Sequence, residues 1–72
     1  MDLAEAHRIA NEDLVLIAAP EADRTRDLLN AAVARRDAEA VRSEGHTWSG
    51  RVGLSILELA DAIDAATGRG ED

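Results

Sequence analysis
Two histidines and three serines are the side chains of this sequence suited to proton transfer or nucleophilic attack. His7 and His46 are the only side chains whose ordinary pKa lies near neutrality. A zinc-type site would need three or four converging ligands. The chain has no His-x-x-x-His or Glu-x-x-His pair and no cysteine, so no metal or other cofactor is expected. His7 falls in an apolar stripe and reads as a packed histidine with one hydrogen bond. Ser43, Ser49 and Ser55 all lack the Gly-x-Ser-x-Gly setting of an activated nucleophile. Gly50-Arg51-Val52-Gly53 lacks the spacing of a dinucleotide loop and the Gly-Lys-Ser/Thr ending of a phosphate loop, so it reads as a helix entrance. The expectation is a non-enzymatic protein with no small-molecule substrate.

Apolar surface is the more informative chemistry. Val52, Ile56, Leu59, Ile63 and Ala66 follow steps of four and three residues. At about 100° per residue they form one helical band roughly 80° wide. Leu54 and Leu57 lie outside that band, on the side shared with Glu58, Asp61 and Asp64. In the first helix, Leu3, His7, Ala10, Leu14 and Ile17 make one stripe, while Ile9 and Leu16 stand on roughly the opposite side. The single aromatic, Trp48, suits either a plug at the end of a bundle or an anchor in an interface. Trp48, Leu54, Leu57, Ile9 and Leu16 are therefore the candidate interface residues.

These residues must be positioned by few elements. At 72 residues the chain is one domain. A domain of this size buries only about 60% of the surface its unfolded chain exposes. Of the hydrophobic residues, 15 are alanine, so the core is thin, and association is the usual remedy where disulfides and metals are absent. The spacing predicts an all-α fold of three helices, with helix 1 over about 2–19 and helix 2 over about 20–44 as a hairpin turned at Pro20. A loop at 45–50 leads to helix 3 at about 51–67, packed across the hairpin, and a frayed tail at 68–72. Asp2 caps helix 1, with Glu5 at capping-box distance. Gly45 reads as the left-handed residue ending helix 2. Residues 13–18 also fit a short buried strand, but no second strand is available to pair with it, so helix is preferred.

The net charge of −7 disfavours a nucleic-acid binder, which needs clustered positive charge. All 8 basic residues are arginine, and with abundant Ala, Gly and Asp they point to a GC-rich coding sequence, as in an actinobacterium or its phage. The acidic start has no positive region of a signal peptide, and the longest apolar run, Leu14 to Ala19, is too short for a membrane span. A cytoplasmic protein is expected. Its function is expected to be that of a small acidic interaction module, a regulator or inhibitor that docks on a protein partner or forms a homo-oligomer. A structural subunit of an assembly such as a phage particle is the alternative, and an antitoxin-like DNA-linked regulator a further one.

Overall fold
Asp2 begins the first helix as its spacing predicts, its Oδ1 accepting the Glu5 amide at 2.8 Å. The computed structural model describes residues 1–67, and the tail expected at 68–72 lies outside the described residues. Helix α1 covers Leu3–Asp13 and is followed by a 3-10 turn at Leu14–Leu16. Helices α2 (Ala19–Arg35), α3 (Ala38–Thr47) and α4 (Gly50–Thr67) complete an all-helical fold with no strand among the described residues. The described residues thus form four helices, where the sequence predicts three.

The first departure is at residues 14–18. The segment neither prolongs α1 nor forms a strand: it tightens at Leu14–Leu16 and then extends through Ile17 and Ala18. Pro20 follows in the first turn of α2, where its missing amide costs little.

The second departure splits the expected helix 2. Arg36 takes a left-handed conformation with φ 58°. Its amide donates to Val33 O at 3.1 Å, and the Asp37 amide to Ala32 O at 2.8 Å. That pair of bonds is a Schellman ending, here without the usual glycine. Asp37 then caps α3, its Oδ1 accepting the Ala40 amide at 3.1 Å.

The third concerns the expected loop at 45–50. Gly45, expected to end a helix, is buried inside α3, and only Trp48 and Ser49 separate α3 from α4. The left-handed glycine of this region is Gly50, at φ 70°.

The core forms around α4. Val52, Ile56, Leu59 and Ile63 are buried together with Leu14, Leu29 and Val41, while Ala66 is exposed. The principal neighbours of α4 are α3 and α1, and α1 touches α2 only slightly. A hairpin of the first two helices with a third laid across it is therefore not the arrangement; α4 lies between α1 and α3. Asp13, ending α1, meets Ser55 early in α4, whereas Met1 and Ala65 line one groove near the other end. Helices α1 and α4 thus run antiparallel.

Candidate interaction surface
Several polar side chains fasten helices to each other. Asp13 is buried at the end of α1, although the expected stripe of that helix did not include it. Ala6, Ala10 and Asp13 follow steps of four and three, the signal by which it could have been found. One oxygen of Asp13 accepts the Ser55 hydroxyl, and the other lies 3.4 Å from Arg51 Nε. A buried carboxylate needs such partners. His7 Nε2 lies 2.7 Å from Asn30 Oδ1 and joins α1 to α2, while His46 is exposed.

On the other side of α4, Arg42 of α3 reaches Asp61 Oδ1 at 3.3 Å and Asp64 Oδ2 at 2.9 Å. The bond to Asp64, with Asp61 beside it, raises the arginine's pKa above its ordinary value. Glu44 ties α2 to α3: its Oε2 accepts Thr25 Oγ1 at 3.0 Å and the Trp48 indole N–H at 2.8 Å. Among the described residues, no group of three or more His, Asp or Glu is placed to hold a metal ion.

The apolar candidates separate into two sets. Trp48 is half-buried against the core at the corner between α3 and α4, with its N–H directed to Glu44. Leu57 is half-buried in the α3–α4 seam, where a Cβ added to Gly45 would lie 2.7 Å from Leu57 Cδ2. A Cβ on Gly53 would collide with the Trp48 carbonyl oxygen. The two glycines thus allow α3 and α4 to approach closely. Part of the second apolar side of α4 is therefore covered within the molecule. Ile9 is half-buried on α1.

Leu54 and Leu16 form the other set, at 64% and 58% exposed, with Val15 beside Leu16 at 79%. Val15 lies in the apolar run Leu14–Ala19 but outside both apolar sides read for the first helix. Since Asp13 holds Arg51, the Val15–Leu16 turn follows directly on the segment that packs near the start of α4. Along α4, Arg51, Leu54, Glu58, Asp61 and Ala65 are all exposed. They share an arc about 80° wide at 100° per residue. Toward its far end an open groove of about 280 Å³ is lined by Met1, Glu58, Asp61, Ala62 and Ala65.

No helix among the described residues is long and apolar enough to cross a membrane. No family model, curated protein or solved structure matches the chain.

Proposed function
We propose that this chain is a small acidic, non-enzymatic interaction module that acts as a regulator or inhibitor while held against another protein chain. The observation that carries the reading is the solvent exposure of Val15 and Leu16 together on a three-residue turn. Turns between helices are ordinarily polar and lie at the surface. Two large aliphatic side chains left mostly in solvent there add little to the monomer's core, whereas burying the exposed part of each against a partner is worth up to about 1.5–3 kcal/mol. Leu54 adds a third on α4. The arginines support leaving nucleic acid out: Arg8, Arg26, Arg35, Arg42 and Arg51 each pair with a carboxylate of the same chain.

A photo-crosslinking amino acid in place of Leu16, expressed in the native host, tests this reading. It should give one discrete protein adduct, either with a second copy or with a different chain. The same group in place of Ala34, exposed on α2, should give none. Equal labelling at both positions, or none at either, contradicts the reading.

A further inference from the structure
Around Leu54 the outer arc of α4 is self-complementary in charge, and Asp61, further along it, is paired with Arg42 of the same chain. Leu54 lies between Arg51, three residues before it, and Glu58, four residues after it, and all three side chains are exposed. Arg51 keeps 77% of its side chain in solvent even though its Nε contacts Asp13. Midway between Arg51 and Glu58 is within about 1 Å of the level of Leu54, at 1.5 Å of rise per residue. If a second α4 lies antiparallel on the first with Leu54 against Leu54, each Arg51 therefore comes level with the other copy's Glu58, to within about 1.5 Å. A parallel pairing would set arginine on arginine and glutamate on glutamate. Only the antiparallel arrangement is matched, and it is the isologous contact of a two-fold dimer.

From this we infer that the partner of the exposed surface is a second copy of this chain, bound through an antiparallel α4–α4 contact centred on Leu54. The inference rests on the reading of the chain as an interaction module and adds the identity of the partner. The Arg51–Glu58 pairs are exposed, so they set register and direction more than strength. Leu54 supplies the apolar contact at the centre.

Sedimentation velocity of the full chain over a micromolar to submillimolar series tests the inference. The wild type should form a dimer, Leu54→Met should keep it, and Leu54→Glu should be monomeric. Glu58→Arg, which brings two arginines level, should raise the dimer Kd about tenfold or more. A second measurement does not depend on equilibrium. The chain has no cysteine, so Leu54→Cys should oxidise to a covalent dimer much faster than Ala34→Cys. A wild type that stays monomeric throughout, a Leu54→Glu variant that still dimerises, or equal oxidation at the two positions overturns the inference. If the Leu16 crosslinker meanwhile captures a different protein, the interaction reading stands and only the choice of partner fails. If it captures nothing, both fail.

Discussion

Asp37 shows how much one side chain can decide. It closes the Schellman ending of α2 with its amide and opens α3 with its carboxylate. The Ala40 amide bond, helped by Arg35, holds its pKa below the ordinary carboxylate value. A carboxylate with a depressed folded pKa stabilises the fold above its unfolded pKa, and that contribution is lost as pH falls through the folded value. Asp37→Ala should therefore melt below the wild type at neutral pH, with the gap closing in acid. Asp37→Asn, which keeps a capping oxygen, should stay near the wild type. Thermal melts by circular dichroism at the two pH values check both. Glu44 carries a second residue-scale claim, because Thr25 and Trp48 both donate to it. Glu44→Ala should shift the fluorescence of the sole tryptophan to the red and cost about 1–2 kcal/mol in urea unfolding. An unchanged emission maximum would show that the indole is not held by that bond.

Among the elements, the α3–α4 seam is where the sequence was hardest to read. The stripe Val52, Ile56, Leu59 and Ile63 is legible because large side chains repeat at helical spacing, and all four are buried. The break at Arg36 is not, because the signal for a left-handed helix end is glycine and an arginine stands there. Asp37 ahead of Ala38 and Glu39 is the one cue, a capping residue followed by acid in the first turn. With helix 2 undivided, its alanine-rich end looks too poor in apolar side chains to cover anything. Once divided, α3 covers Leu57 by coming close, through Gly45 and Gly53, without supplying bulk. For the same reason the sequence grouped Leu54, Leu57 and Trp48, although two of the three lie in the seam.

The glycines of the seam give the element-scale prediction. At an ordinary mid-helix site Gly→Ala would add about 1 kcal/mol of stability. Gly53→Ala should instead destabilise by about 1–3 kcal/mol, as overpacking does, because the new methyl meets backbone that cannot turn aside. Gly45→Ala meets Leu57 Cδ2 at 2.7 Å and Cγ at 2.8 Å, mostly side chain rather than backbone, and should also destabilise but by less. Urea unfolding of the two variants orders them, and a stabilised Gly53→Ala would contradict the close approach.

For the whole molecule, the structure divides apolar residues by destination. Leu14, Leu29, Ile56, Leu59, Ile63 and Val41 fill the core, while Val15, Leu16 and Leu54 remain in solvent. Two arginines fasten helices to each other: Arg42 holds α3 to α4 and Arg51 holds α4 to α1. The account requires the solvent-facing set to contribute nothing to the monomer and to carry its association. The triple variant Val15→Ser, Leu16→Ser and Leu54→Ser separates those two contributions. Its urea unfolding should be measured at concentrations where the wild type is monomeric, and its mass by light scattering where the wild type is associated. The prediction is an unfolding free energy within about 1.5 kcal/mol of the wild type, about 0.5 kcal/mol for each of three ordinary surface substitutions, with the association lost. A variant that loses several kcal/mol of stability, or that associates as the wild type does, would contradict the account.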